Sequence, residues 1–217
     1  MLIADLPGRA PDWVVVSAHI DGHPHGESAM DNATGVVVAL GLARLLAPHV
    51  AGCPRGLRIC LFSAEEWGLI GSRIWLERMD EAARRSMVIN INLDCVGGAF
   101  GLTALTSGFE RLDAWVKNTA ALAGLPIATH LPLMANSDHA NFAAHGIPAI
   151  RLLAGFNAPD SNLRFLLTAA DTRDKVHLDE LDQALRLATA LTWQALTTAD
   201  ATLASLAAGR GHDTWGR

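Results

Sequence analysis

Three short apolar runs constrain this chain more than any other feature. Residues 13–18 (WVVVSA), 57–63 (LRICLFS) and 87–93 (MVININL) are too short for core helices and two of them are dense in β-branched residues, the pattern of strands buried on both faces. Helical stretches alternate with them. Residues 34–47 are long enough for a helix that Pro48 should end. Residues 69–79 place Ile70, Ile74 and Trp75 on one side, and 109–123 place Phe109, Leu112 and Val116 on one face before Gly124 closes the helix. Residues 127–130 and 149–153 read as further strands. Such alternation predicts an α/β fold, a largely parallel sheet with helices on both faces. A last helix is expected over 178–208, where Leu178, Leu181, Leu185, Ala188, Leu191 and Ala195 follow gaps of three and four. Residues 154–174 form the longest stretch without periodicity, and loops of that length are usually functional. Together these readings predict one domain over 1–208 and a loose tail at 209–217.

Composition narrows the function classes. Half of the 217 residues are hydrophobic and 18% are charged, which excludes a disordered chain. The net charge is −5 and no basic stripe stands out, so no nucleic-acid partner is expected. No unbroken apolar run approaches membrane-spanning length, so no membrane partner is expected either. The first residues lack a basic segment followed by an apolar one, so no signal peptide is expected. Leu2-Ile3-Ala4 reads as a strand already under way, which anticipates strands upstream. Cys53, Cys60 and Cys95 are odd in number and form no CxxC, which fits a reducing compartment, cytoplasmic by default. Nine His and no Tyr make a metal site worth seeking and remove the phenol from every catalytic role.

The chemistry gathers where the strands end. The first runs into His19-Ile20-Asp21, the second into Glu65-Glu66 and the third into Asp94; Asp31 lies in a polar turn, Asp31-Asn32-Ala33-Thr34-Gly35, that opens the first helix. Each alone has an ordinary reading: a capped turn, a solvated pair, a turn former, a helix cap. Together they converge on the edge where open α/β sheets bind ligands. Carboxylates crowded there repel one another unless protons or cations neutralise them. Zinc accepts both His nitrogen and carboxylate oxygen.

These stretches resemble the M28 family of co-catalytic zinc peptidases, the bacterial leucyl-type aminopeptidases and their relatives. The matching segments are VVVSAHIDGH, SAMDNATG, LFSAEEWGLIGS, INLDCVGG, SDHANFAAHGIPAI and DTRDKV, in family order over nearly the whole chain, with 12 positions from His19 to Asp31 and 28 from Glu66 to Asp94. The resemblance implies a zinc-exopeptidase-like three-layer α/β/α fold with a mostly parallel, mixed central sheet. It implies that His19 and Asp94 bind one zinc, that Asp31 bridges two, and that Glu66 binds the second. Glu65 is implied as the general base on the metal-bound water, and Asp21 as the carboxylate that orients His19. A cis peptide is implied at Asp31-Asn32.

One match fails. Leu167 stands where the family motif His-Thr-Pro-x-Asp-Thr-x-Asp carries its last ligand, so one zinc site is well formed and the second lacks a donor. Three readings follow: a single-metal enzyme, a substitute donor (His139, His177, His23 or His25), or lost hydrolytic activity. The leading expectation is a zinc-dependent aminopeptidase acting on a peptide or aminoacyl substrate. The alternatives are a single-zinc acyltransferase of glutaminyl-cyclase type, which keeps the donor lost here, and a non-catalytic binding protein. Without tyrosine, the tetrahedral intermediate falls to the metal, a backbone N–H or His139. Phe156 and Phe165 are expected to line the substrate pocket and favour apolar side chains, whereas Trp67 and Trp75 read as core.

Overall fold

A computed structural model describes residues 1–208; the tail expected at 209–217 lies outside the described residues. Its seven strands are β1 (Leu2–Leu6), β2 (Trp13–His19), β3 (Gly56–Phe62), β4 (Met87–Leu93), β5 (Leu102–Leu105), β6 (Ala128–His130) and β7 (Ala149–Ala154). They form one sheet in the order β1-β3-β2-β4-β7-β5-β6. The centre is parallel, and the antiparallel pairs β1–β3 and β5–β7 make the sheet mixed. Val14, Val15 and Val16 are all buried, so β2 is covered on both faces as its unbroken apolar run requires.

Register places the chemistry. His19 pairs with Phe62 across β2 and β3, and Ser17 pairs with Asn92 across β2 and β4. His19, the chain after Phe62 and Asp94 therefore emerge level at one edge. The polar residues of MVININL are structural: Asn90 donates to Ser17 Oγ at 2.9 Å, Ser17 donates to Asn92 Oδ1 at 2.7 Å, and Asn92 donates to Ser137 Oγ at 2.7 Å. Among these side chains only Asn90 Oδ1 is left buried without a partner; the ladder satisfies groups that would be costly to bury alone.

The helices are α1 (Thr34–Val50), α2 (Ile70–Glu77), α3 (Glu81–Arg85), α4 (Glu110–Leu122), α5 (His139–Ala144), α6 (Leu178–Thr197) and α7 (Asp200–Leu206). Helix α6 packs on α1 and α4, and α2 packs on α5. Several expectations are corrected. Pro48 does not end α1 but sits in its last turn, where buried Leu46 and Val50 keep the helix on the core. The single helix expected over 178–208 is two, because Thr198 and Ala199 adopt extended backbone between α6 and α7. Strand β5 and helices α3 and α5 are too short to show a period and were not anticipated. Ala29–Val50 is long and apolar enough to cross a membrane by length and composition, although its unbroken apolar runs are short. In the fold this segment contains α1, whose Val38, Leu42 and Leu46 are buried.

Candidate metal centre

His19 closes β2 with its imidazole buried. Its Nε2 lies 3.0 Å from Asp31 Oδ1 and 3.6 Å from Asp94 Oδ1, yet makes no hydrogen bond of acceptable geometry. Its Nδ1 lies 3.0 Å from the backbone oxygen of Asp21 and 3.6 Å from the Asp21 carboxylate. So the backbone of Asp21 is what orients the imidazole. The carboxylate takes another task and accepts the backbone N–H groups of Glu65 at 3.2 Å and Glu66 at 3.3 Å. Asp21 thereby locks the His19 turn to the turn carrying both glutamates.

Asp31 is held by what flanks it. The Asp31-Asn32 peptide is cis. Asn32 donates to Leu93 O at 2.9 Å and accepts from Gly35 N at 3.0 Å and Cys95 N at 3.3 Å. A Cβ on Gly35 would stand 2.2 Å from Leu93 O, so only glycine lets the start of α1 approach the end of β4 this closely. From the other side, buried Asp171 accepts the N–H of Met30 at 2.8 Å and of Asp31 at 3.2 Å.

Three trios of donor atoms lie within 4.8 Å of one another: His19, Asp31 and Glu66; His19, Glu65 and Asp94; and Asp31, Asp94 and Cys95. Glu65 and Glu66 follow a turn at Ala64 rather than an extended strand, so they enter the cluster by turn geometry. Charges in this cluster are strongly coupled. Burial, with Asp94 nearby, pushes the Glu65 carboxyl up to about 8. Burial and Asp31 push Glu66 up to about 7. Burial opposes charge on His19, but Asp31 and Asp94 outweigh it and raise the imidazole to about 12. Burial also opposes charge on Asp94, yet Arg151, whose Nη2 lies 3.1 Å away, and His19 hold it below the usual carboxylate range. Carboxyls that retain protons, beside a buried His19 Nε2 that meets carboxylates without a well-aligned hydrogen bond and a Glu66 Oε1 without a hydrogen-bond partner, are what a site built around a cation requires. The residues present fit a metal ion.

The remaining candidates fall elsewhere. His139 is fully buried at the start of α5, belongs to none of the trios, and is held neutral by burial, which lowers it to about 3. Both of its ring nitrogens are buried without a hydrogen-bond partner. His177 caps α6 with Glu180. His25 donates its backbone N–H to His23 Nδ1 at 3.1 Å, and neither joins a trio. Leu167 is 58% exposed and lies in the loop that Asp171 anchors. Phe156 packs with Cys95, Leu105, Leu153 and Leu163 in a small apolar cluster apart from the main core. Phe165 instead lies under Arg164 and Lys175. Trp75 packs on Phe62 and Phe142, but Trp67 is 79% exposed beside Glu66, not core.

Sequence reasoning gave no role to Asp171 or Arg151. Arg151 carried a signal, since an arginine inside the apolar run AIRLLA must find a buried anion. Asp171 carried none beyond its place in the degenerate motif.

Comparison with known proteins settles the family. A model of peptidase family M28 matches residues 1–192. The chain belongs to peptidase family M28. Among curated relatives of this M28 chain, Aminopeptidase YwaD of Bacillus subtilis is 28% identical over 193 residues, covering 87% of this chain and 42% of that protein. The Probable lipoprotein aminopeptidase LpqL of Mycobacterium tuberculosis is 36% identical over 167 residues, covering 68% of this chain and 33% of that protein. The solved structure of BSAP, a zinc aminopeptidase from Bacillus subtilis, superposes with a TM-score of 0.82 at 27% identity, covering 92% of this chain and 51% of that one. The M28 chain thus spans about half or less of the length of each of these three proteins.

Proposed function

We propose that this chain is a zinc-dependent aminopeptidase core that hydrolyses N-terminal residues of peptide or aminoacyl substrates. The observation that carries the reading is the convergence of His19, Asp31, Glu65, Glu66 and Asp94 at one sheet edge around an unpartnered imidazole nitrogen. The aminopeptidases among its relatives support it. His19, Asp31 and Asp94 would hold one zinc, and Asp31 with Glu66 would offer a weaker second place that lacks the donor lost at Leu167. Zinc, when bound, supplies Lewis acidity toward a carbonyl and makes water a nucleophile near neutral pH.

The chain's own groups do the rest. Glu65 takes the proton of the attacking water and returns it to the leaving amine. Burial first, and then the carboxylates around it, favour a proton on Glu65 in the absence of a cation, so a bound cation would free it as a base. Asp21 holds both glutamates by their backbone, which fixes Glu65 against the substrate. The surplus carboxylate charge attracts a free α-ammonium group. A preference for apolar N-terminal side chains would rest on Phe156, the half-buried edge of a cluster whose Leu105 and Leu153 are buried.

The test is hydrolysis of an aminoacyl-anilide panel by zinc-loaded protein and its Glu65→Gln variant. Leucyl substrates are expected to outrun acidic ones, and the variant is expected to lose on the order of 10²–10⁴-fold in rate. Undiminished hydrolysis by the variant would overturn the role of Glu65. Zero bound zinc after gentle purification would favour a non-catalytic binding protein.

A further inference from the structure

We propose that Arg151 is a positioning residue that reserves one oxygen of Asp94, so that Asp94 meets a bound ion through its other oxygen alone and the ion keeps a place open for water. The inference rests on the reading that His19, Asp31 and Asp94 hold a metal, and it deepens that reading. Strand β7 sets Arg151 opposite Asn92 of β4, two positions before Asp94, and its side chain is buried within the apolar run Ala149–Ala154. From there the guanidinium reaches the chain just beyond β4. Its Nη2 lies 3.1 Å from Asp94 Oδ2, and its Nη1 donates to Asn136 O at 2.8 Å.

The two oxygens of Asp94 are thus divided between two sides. Oδ1 lies 3.6 Å from His19 Nε2 and accepts Cys95 Sγ at 3.1 Å, while Oδ2 is the oxygen that meets Arg151. The loop that Arg151 grips is fastened to the same strand a second time, because Asn92 Nδ2 donates to Ser137 Oγ at 2.7 Å. The Ser137 hydroxyl is also a donor to the Asp94 carboxylate. Neither the guanidinium nor the carboxylate can turn without disturbing this buried set.

Charge balance alone gives Arg151 no task once an ion is bound, because a divalent cation beside Asp94 neutralises it more fully than a guanidinium does. Geometry supplies the task. A carboxylate can hold a metal through one oxygen or through both. A catalytic zinc takes three protein donors and leaves its fourth place to water or substrate. His19, Asp31 and Asp94 amount to three donors only if each gives one atom. A second oxygen from Asp94 would fill the place that water needs. The fixed positive charge at Oδ2 repels an ion drawn toward both oxygens, and turning the carboxylate would separate a buried ion pair.

The experiment is titration of the metal-free full chain with Co²⁺, followed by visible absorption, where four-coordinate Co²⁺ absorbs far more strongly than five- or six-coordinate Co²⁺. The unmodified chain is expected to give the strong four-coordinate band. Arg151→Met should bind Co²⁺ on the order of tenfold more tightly, since it removes the repulsion between a unit charge and a divalent ion a few ångströms apart. Its visible band should fall several-fold as Asp94 closes on the ion. Arg151→Lys, which keeps a cation at Oδ2, should retain the affinity and the band. A merely structural role for Arg151 predicts the opposite sign: weaker binding by Arg151→Met with the band unchanged, and that result overturns the assignment. A weak, high-coordinate band from the unmodified chain also overturns it, even if Arg151→Met fails to fold, and leaves the metal reading intact. No Co²⁺ binding by the unmodified chain overturns both.

Discussion

Glu65→Gln should make the metal-free protein more stable at neutral and alkaline pH, although hydrolysis is proposed to depend on Glu65. In the fold its carboxyl is pushed up to about 8, against an ordinary 4.5, by burial and by Asp94. Between those values the folded chain holds a proton that the unfolded chain has released, so stability falls as pH rises. It is fully present below pH 4.5 and lost through pH 8. Each pH unit in that window is worth about 1.4 kcal/mol, which gives about 3 kcal/mol at pH 7. Gln matches the protonated acid in shape and carries no charge at any pH, so it escapes this loss. For a chain of this size about 1 kcal/mol moves the melting temperature by roughly 2–4 °C, so the variant should melt about 6–12 °C higher at pH 7. Near pH 4.5 the two proteins should melt together. The assay is thermal unfolding in a chelator at pH 4.5, 7 and 8.5. A Gln variant no more stable than the unmodified chain at pH 8.5 would refute the claim that Glu65 sits as a repelled carboxylate in the metal-free cluster.

Three further outcomes follow from the same cluster. Arg151→Met should cost about 3–5 kcal/mol in urea unfolding of the metal-free protein, because it leaves the buried Asp94 carboxylate without its cation. Adding Asp94→Asn to that variant should recover part of the loss. Asp171→Ala should cost about 1–3 kcal/mol for each backbone N–H of Met30 and Asp31 that it strands, and should weaken zinc binding measured by calorimetry. Gly35→Ala should give little folded protein on expression, since its Cβ would meet Leu93 O at 2.2 Å and neither backbone can retreat without opening the α1–β4 junction.

How much of this was legible in the sequence follows from the range of each interaction. The central strands were readable because burial on both faces leaves a local mark, an unbroken apolar run, and β4 spans the residues anticipated for it. The candidate site residues were readable as a group because they sit where those runs end, and the parallel register of β2, β3 and β4 turns chain ends into neighbours. The partners that hold them were not. Asp171 acts on Asp31 from 140 residues away, and Arg151 acts on Cys95 from 56 residues away. Nothing local distinguishes Asp171 from a turn former, and the arginine inside AIRLLA signals a buried anion without saying which one. Strand β5 spans only Leu102–Leu105 and helix α5 only His139–Ala144, too few residues to complete a recognisable period.

The loop around Leu167 stays fastened to the segment carrying Asp31 without any help from position 167. Two functions meet in this segment of the family motif, one electrostatic and one mechanical. Leu167 gives up the first: an exposed leucine offers no lone pair to an ion. Asp171 retains the second, because its carboxylate holds the backbone of Met30 and Asp31 while its own backbone oxygen accepts Glu27 N at 2.8 Å. Glu27 in turn pairs with Arg173 at 2.9 Å, which ties the same loop down again at its surface. A loop fastened twice to the segment carrying Asp31 cannot drift without moving that carboxylate. On the proposed reading, a leucine at 167 would therefore affect only the place offered by Asp31 and Glu66. The group of His19, Asp31 and Asp94, with Arg151 behind it, owes the position of Asp31 to Asp171, which holds its backbone.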